Sequence, residues 1–211
     1  NKSFYVNSQD SNPQGVRFKS DGTKMFVVGG TGDDVNEYDL TTAWDVSTAS
    51  YTRNFSVSTQ DTIPTGIAFS ADGTKMYISG NSSDSVYQYN LSTAWDLSTA
   101  SYSNNSLDVS SEDTSVADVF IHSSGTSIYI VGTANDYVYQ YNMTTAYDLS
   151  TASYASKSIN LKGETSGPTG IAFSSDGTKM LICESLDESV HQYSLSTSWD
   201  VSTASYDNLL F

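Results

Sequence analysis

The chain has 211 residues, and 24 acidic against nine basic side chains give it a net charge of −15 at pH 7. This charge would repel a phosphate backbone, so we expect no nucleic-acid partner; no run of apolar residues approaches the roughly 20 of a membrane-spanning helix, so we expect no membrane insertion. A chain of this length buries enough surface to fold as one domain over residues 1–211, and its single cysteine, Cys183, allows no internal disulfide.

Four similar repeats make up the sequence. A phrase of the form FSxDGTKM recurs at spacings of 51, 52 and 52 residues, and a second phrase, TAWDxSTASY, recurs at the same spacings. The first phrase is marked by Gly22, Gly73, Gly125 and Gly177. The second phrase is marked by Trp44, Trp95, Tyr147 and Trp199. Self-similarity at such a period indicates a repeat architecture.

The second repeat shows the elements of one unit. Residues 66–70 predict a short apolar strand, and an Asp-Gly turn joins it to a second strand at 75–80. Alternation predicts a third strand at 85–91. After a long loop, a Ser- and Asn-rich stretch at 102–110 predicts a polar outer strand.

Tandem four-stranded antiparallel units without a helical stretch predict an all-β fold, a β-propeller of four blades. We place the blades at residues 12–62, 63–114, 115–166 and 167–211. Residues 1–11 align with the outer strand of the first repeat, Phe4 matching Phe55, so we predict that they close the ring as the outer strand of the fourth blade. The alternatives are half of an eight-bladed ring or a fragment of a longer propeller; we expect a monomer, with a homodimer as the second possibility.

One rim of this propeller is predicted to be acidic. The loops between the second and third strands, and those between blades, share a rim that collects Asp10, Asp33, Asp34, Asp61, Asp84, Glu112, Asp113, Asp136, Glu164, Asp187 and Glu188. Carboxylates are ligands that Ca²⁺ prefers. The candidate metal ligands are Asp33, Asp34, Asp187 and Glu188. Otherwise no cofactor is expected, and the alternative is a solvated acidic surface.

Function in a repeat fold is expected where the repeats differ. The third repeat has Val116-Ala117-Asp118 where the others have Pro-x-Gly, which places Asp118 at the mouth of the central channel. In the loop between the second and third strands of this repeat, Tyr137 replaces the serine found at Ser85 and Ser189 and offers a ring on which a sugar can stack. The candidate ligand-binding residues are Asp118, Tyr137, Asp136, Asp113 and Asp84. The alternative is that the sequence of the third repeat has diverged from the others without a functional role.

The most regular motif is interpreted as scaffold. Asp45, Asp96, Asp148 and Asp200 each precede a Ser-Thr pair, a spacing at which a carboxylate accepts backbone N–H groups of the next turn. We also expect the repeated tyrosines of the third strands to pack between blades.

The phrases GIAFSADGTKMY and SVYQYNLSTAWDLSTASY resemble tandem propeller repeats of surface and phage-associated proteins of marine bacteria and their viruses, and more distantly the lactonase-like and YVTN-type propellers. This group includes adhesins, virion components and enzymes, so the resemblance implies the fold more than the function. Lactonase-like enzymes hold a metal in the channel on Glu, Asp and Asn. The channel strands here offer Gly, Ala, Ile, Val and Phe, with Arg17 and Asp118.

The favoured interpretation is a non-catalytic recognition or adhesion module, extracellular or on a virion surface, that binds a glycan or a surface protein through the loops of one rim. The alternatives are a metal-dependent hydrolase or lyase that uses the acidic rim, and a structural spacer.

Overall fold

The computed structural model describes residues 2–208, which form four antiparallel four-stranded sheets arranged as a four-bladed β-propeller. Blade 1 contains β1 (Pro13–Phe18), β2 (Lys24–Gly29), β3 (Asp34–Leu40) and β4 (Ala49–Ser56). Blade 2 contains β5 (Pro64–Phe69), β6 (Lys75–Gly80), β7 (Ser85–Leu91) and β8 (Ala100–Asp108). Blade 3 contains β9 (Val116–Ile121), β10 (Ser127–Gly132), β11 (Tyr137–Met143) and β12 (Ala152–Asn160). Blade 4 contains β13 (Pro168–Phe173), β14 (Lys179–Glu184), β15 (Ser189–Leu195) and β16 (Ala204–Tyr206).

The predicted four-bladed, all-β fold is confirmed, and so are the limits of two of the four strands predicted for the second repeat. In blade 2 the second and third strands have the predicted bounds, and the outer strand runs two residues earlier than predicted. The first strand starts at Pro64 because pairing with β6 continues past an irregularity between Pro64 and Gly66. The predicted long loop holds one turn of 3₁₀ helix, Leu97–Thr99. No helix within residues 2–208 is long and apolar enough to span a membrane.

The two repeated phrases meet in space at one end of each blade. Gly73 has φ +72°, and a Cβ there would overlap the indole of Trp95. Trp95 itself has φ +63°. Glycine is therefore required both for its backbone conformation and for the approach of the ring. Asp96 accepts the backbone N–H of Ser98 at 2.9 Å, which confirms the predicted capping role of the motif.

Adjacent blades pack through two faces. We call the face that a blade turns to the next blade its trailing face, and the opposite one its leading face. Phe26, Val28 and Val35 on the trailing face of blade 1 pack with Ile67 and Met76 on the leading face of blade 2. Equivalent clusters join blade 2 to blade 3 and blade 3 to blade 4. Tyr89, Tyr141 and Tyr193 are buried in these clusters, which confirms the predicted packing role of the tyrosines.

One polar contact also recurs at each of these three junctions. The side chain at the middle of the third strand accepts a hydrogen bond from the backbone N–H that begins the 3₁₀ turn of the next blade. The pairs are Glu37 with Leu97 at 3.0 Å, Gln88 with Leu149 at 2.8 Å, and Gln140 with Val201 at 3.3 Å. Each blade is thus fixed to the next by apolar packing and by a buried hydrogen bond.

The N-terminal segment, residues 2–6, lies against the leading face of blade 1. Phe4 meets the Tyr38 ring edge-on at 5.4 Å, and the Lys2 ammonium lies 2.5 Å from a carboxylate oxygen of Asp45. This ion pair is the counterpart of Arg53 with Asp96, also 43 residues apart, so the segment takes the place that an outer strand takes on the following blade.

The predicted closing strand is corrected by the pairing in blade 4. Over residues 2–208, no backbone hydrogen bond joins the N-terminal segment to β15, whose two neighbours in the sheet are β14 and β16. Beyond β16, the N–H of Asp207 donates to the carbonyl oxygen of Gln192. The reason is that the trailing face of blade 4 does not pack on blade 1. Val190 on that face is 60% exposed, whereas its counterparts in the other three blades are fully buried. Residues 1 and 209–211, also assigned to the ends of the ring, lie outside the described part of the chain.

Candidate functional site

The channel mouth is a cavity of about 440 Å³ at the rim where the first strands begin. The first strands of all four blades contribute to its wall. Its polar side chains are those of Gln14, Arg17, Thr65, Asn81, Ser115, Asp118, Thr133 and Thr169. We call this cavity, together with these side chains, the channel mouth.

An ion pair between blade 1 and blade 3 crosses the channel mouth. The Arg17 Nη2 atom lies 3.2 and 3.1 Å from the two carboxylate oxygens of Asp118, and it also donates to the carbonyl oxygen of Val119 at 3.3 Å. Asp118 is only 6% exposed, while the Arg17 side chain is 31% exposed. The guanidinium is therefore partly accessible from the cavity, and the carboxylate is fixed behind it.

Two backbone N–H groups complete the surroundings of Asp118. Its carboxylate accepts from Val119 at 2.8 Å and from Ile171 of blade 4 at 3.1 Å. A Cβ at Gly66 would overlap the Asp118 carboxylate, so the glycine of blade 2 makes room for the aspartate that replaces glycine in blade 3. One carboxylate thus contacts blades 1, 3 and 4 and touches the backbone of blade 2.

The burial of Asp118 shifts the pKa of its carboxyl group. Removal from water raises the pKa of this carboxyl, although the Arg17 charge and the two N–H donors act in the opposite direction. The structure confirms the predicted position of Asp118 at the mouth and adds the cation that the carboxylate needs there. A buried carboxylate without such a partner would carry a large desolvation cost.

Asp113, a predicted ligand-binding residue, is a structural residue in this fold. It is buried and accepts backbone N–H groups from Ser115 at 3.0 Å, Ala134 at 3.1 Å and Asn135 at 3.1 Å. Asp10 and Asp61 do the same in blades 1 and 2. Its carboxylate fixes the loop between β10 and β11.

Asp84 and Asp136 occupy tight turns. Their φ values are +49° and +56°, a conformation that aspartate tolerates better than most residues. Their carbonyl oxygens accept the N–H groups of Val109 and Leu161 at 2.9 and 2.8 Å, which fixes the end of each outer strand. Both therefore have a structural reason to recur at this rim.

Tyr137 is not part of the channel mouth wall. Its ring stacks on that of Tyr139 with centroids 5.6 Å apart and an angle of 18°. The ring is half-buried and packs against the cluster between blades 2 and 3. The predicted sugar-stacking ring is thus engaged by a neighbouring tyrosine.

The structure does not bring the four candidate metal ligands together. Asp34 is buried on blade 1 and accepts from the amides of Asn36 at 2.7 Å and Asn54 at 2.5 Å. Asp33 lies in a turn with φ +48°. The other two candidates, Asp187 and Glu188, are exposed on blade 4. Within residues 2–208, no group of three His, Cys, Asp or Glu side chains is placed to hold a metal ion.

Sequence reasoning placed Arg17 on a channel strand but did not pair it with Asp118, and it passed over Gln14 and Thr169. Arg17 stands where blades 2 and 4 have Ala68 and Ala172, so the same disagreement between repeats that indicated Asp118 also marks its partner. Gln14 and Thr169 gave no such signal, because a polar residue follows the proline in three of the four repeats. Their shared position becomes significant only when four strands converge.

No family model matches the chain, and no curated protein matches its sequence. Many solved structures resemble it. A Bacteroides uniformis protein given as a candidate 6-phosphogluconolactonase has 12% identity and a TM-score of 0.64, covering 98% of this chain and 57% of its own. The periplasmic gluconolactonase of Pseudomonas aeruginosa has 14% identity and a TM-score of 0.58, covering 94% and 53%. Hydrazine synthase of Kuenenia stuttgartiensis has 17% identity and a TM-score of 0.57, covering 90% and 48%.

These similarities extend to the fold alone. The chain spans about half the length of the structures it matches, and its neighbours include lactonase-type propellers. One fold of this kind carries unrelated functions, so the function must be argued from the channel mouth itself.

Proposed function

We propose that this chain is a non-catalytic recognition module that binds a glycan at the channel mouth, as part of an extracellular or virion-surface protein. The observation that carries the proposal is the partly exposed Arg17 guanidinium, held by buried Asp118 at the centre of a polar cavity of about 440 Å³. Ligand pockets typically measure about 300–1,000 Å³, with a few fixed polar groups that orient the ligand.

The chemistry of the wall suits hydroxyl groups. A guanidinium presents several N–H donors in a plane, and its pairing with Asp118 restricts its orientation. The threonine hydroxyls at 65 and 133 and the Gln14 amide add donors and acceptors around it.

A second candidate is turnover of a sugar lactone in the same cavity. The structural neighbours include a candidate 6-phosphogluconolactonase and a gluconolactonase, and the raised pKa of Asp118 is the kind of shift found in acid–base groups. The Arg17 pairing favours a fixed, ionised Asp118, so we rank this candidate second.

The test is binding to an array of polysaccharides and bacterial surface glycans, with calcium and again with a chelator, together with a gluconolactone hydrolysis assay. We expect selective binding that Gln14→Ala weakens at least several-fold, because Gln14 is exposed in the channel mouth. Tyr137→Ala is the matched control at the same rim but outside the cavity, and it should bind as the unmodified chain does.

Each other result has a definite meaning. Binding lost in Tyr137→Ala and kept in Gln14→Ala would move the site to the outer rim and contradict the proposal. Lactone turnover with no glycan binding would replace it by the second candidate. If neither glycan binding nor lactone hydrolysis is detected, the result would favour the third interpretation, a structural spacer.

A further inference from the structure

The trailing face of blade 4 is the first of two unmatched surfaces. Leu181, Cys183 and Val190 are exposed there, and their counterparts in all three other blades are fully buried against the following blade. The counterparts are Phe26, Val28 and Val35 in blade 1, Tyr77, Ser79 and Val86 in blade 2, and Tyr129, Val131 and Val138 in blade 3. Blade 4 therefore presents a surface whose repeat equivalents are always covered by another blade.

The leading face of blade 1 is the second unmatched surface. Val16 is 46% exposed, whereas its counterparts Ile67, Val119 and Ile171 are buried. Beside it lies an apolar cavity of about 320 Å³, whose wall includes Phe4, Val6, Met25 and Val27. The N-terminal segment covers part of this face, and the cavity marks the part where a preceding blade would sit.

The recurring polar contact between blades also has its acceptor on blade 4 and its matching N–H donor on blade 1, without the two being joined within one chain. Gln192 is the fourth member of the series Glu37, Gln88 and Gln140, and it stands on blade 4. The N–H that would match it is that of Val46, at the start of the 3₁₀ turn of blade 1. A different recurring contact is already made within the chain, because Lys2 pairs with Asp45 as Arg53 of the outer strand β4 pairs with Asp96.

We infer that the occupant of the trailing face of blade 4 is blade 1 of a second copy of this chain. Two copies related by a twofold axis would form two such junctions and one closed ring of eight blades. The arrangement of the four blades agrees with this, because 90–98% of the chain superposes on 48–57% of three longer chains. Closed symmetric assembly leaves no unmatched face, which is the usual outcome for homo-oligomers.

The repeat predicts the contacts of this junction. Thr65 donates to the carbonyl oxygen of Val116 across the junction of blades 2 and 3 at 2.9 Å, so Thr169 should donate to the carbonyl oxygen of Pro13 in the other copy. Val46 N–H should donate to Gln192. The N-terminal segment of the second copy should then lie beside β15, where the outer strand β16 is short.

The test is sedimentation equilibrium of the chain over a wide concentration range at physiological salt. We expect twice the 22.8 kDa chain mass. Val190→Lys places a charge on both junctions at once and should return the mass to that of one chain. It should leave the fold intact, since Val190 is already 60% exposed, and circular dichroism checks this. Leu186→Lys is the matched control, because Leu186 is 68% exposed in the loop outside the face, and it should stay dimeric.

Cys183 supplies a second measurement on the unmodified face. It is exposed in the single chain and should react with a thiol reagent at least tenfold more slowly in the dimer than in the Val190→Lys chain. Single-chain mass for the unmodified protein would overturn the inference. So would a dimer that Val190→Lys does not dissociate, or an open series of higher masses, which would indicate junctions that do not close.

Discussion

The sharpest prediction concerns the Arg17–Asp118 pair, which Arg17→Met removes while keeping a long side chain. Asp118 is 6% exposed and would be left as a buried carboxylate with two N–H donors, Val119 and Ile171. Breaking a buried ion pair costs about 3–5 kcal/mol. Because two N–H donors remain and the Arg17 side chain is 31% exposed, we expect the free energy of unfolding to fall by about 3 kcal/mol. For a domain of this size, this loss lowers Tm by roughly 6–12 °C.

The loss of stability caused by Arg17→Met is expected to depend on pH. The pKa of Asp118 is raised in the folded chain, and loss of the Arg17 charge raises this pKa further. An acid with a raised folded pKa binds more protons folded than unfolded, so its ionisation lowers stability as pH rises. The penalty of Arg17→Met should therefore be greatest near neutral pH and should shrink as pH falls toward the ordinary carboxyl range.

Thermal unfolding against pH measures both effects. Lys157→Met is the control, since Lys157 pairs with Asp200 between blades at 2.7 Å but is 37% exposed, and such pairs contribute about 0–1 kcal/mol. The double variant Arg17→Met with Asp118→Asn should recover part of the loss. A penalty for Arg17→Met that equals the control, or that does not change with pH, would refute the reasoning.

Two further predictions concern repeated structural motifs. Gly80→Ala should lower the free energy of unfolding by about 1–3 kcal/mol, because a Cβ there would overlap the buried Asp61 carboxylate. Chemical unfolding should show a smaller loss for the control variant Gly30→Ala, and equal losses would contradict the explanation. Hydrogen bonds from Ser174 and Thr178 lower the pKa of Asp176 from 3.8 to about 2, so its contribution to stability is present above the ordinary pKa and is lost as pH falls through about 2. Asp176→Asn should therefore flatten the acid side of the stability profile, and an unchanged profile would count against this role.

Much of the fold could be predicted because its causes are local. Three signals act within a few residues: the Asp-Gly turn, the alternation of each third strand, and the aspartate two residues before its N–H partner. Each of these signals recurs in several repeats. The second and third strands of blade 2 accordingly have the predicted bounds, and Asp96 caps the predicted turn. The 3₁₀ turn at Leu97–Thr99 was missed because three residues carry no periodic signal.

The site depended on distances in space that the repeat does not encode. Asp113 and Asp118 both read as polar residues at one rim, yet one closes a loop on three N–H groups and the other pairs with Arg17, 101 residues away. Blade 4 shows the same limit, because it has Thr165 and Glu184 where the other blades pair aspartate with glycine. Glu184 accepts a hydrogen bond from the Ser166 N–H at 3.1 Å. In blade 4 the carboxylate is therefore supplied from the position of the glycine instead of from the position of the aspartate.

By itself, the sequence determined the blade, its four strands and its number of copies, since hydrogen-bonded turns and alternating side chains are decided by neighbours along the chain. Only the tertiary structure decided that Arg17 reaches Asp118 and that Tyr137 is occupied by Tyr139. It also decided that the N-terminal segment packs on blade 1 while Val190 of blade 4 stays exposed. Those outcomes depend on the angle between successive blades, a property of the packed junctions that no single repeat contains.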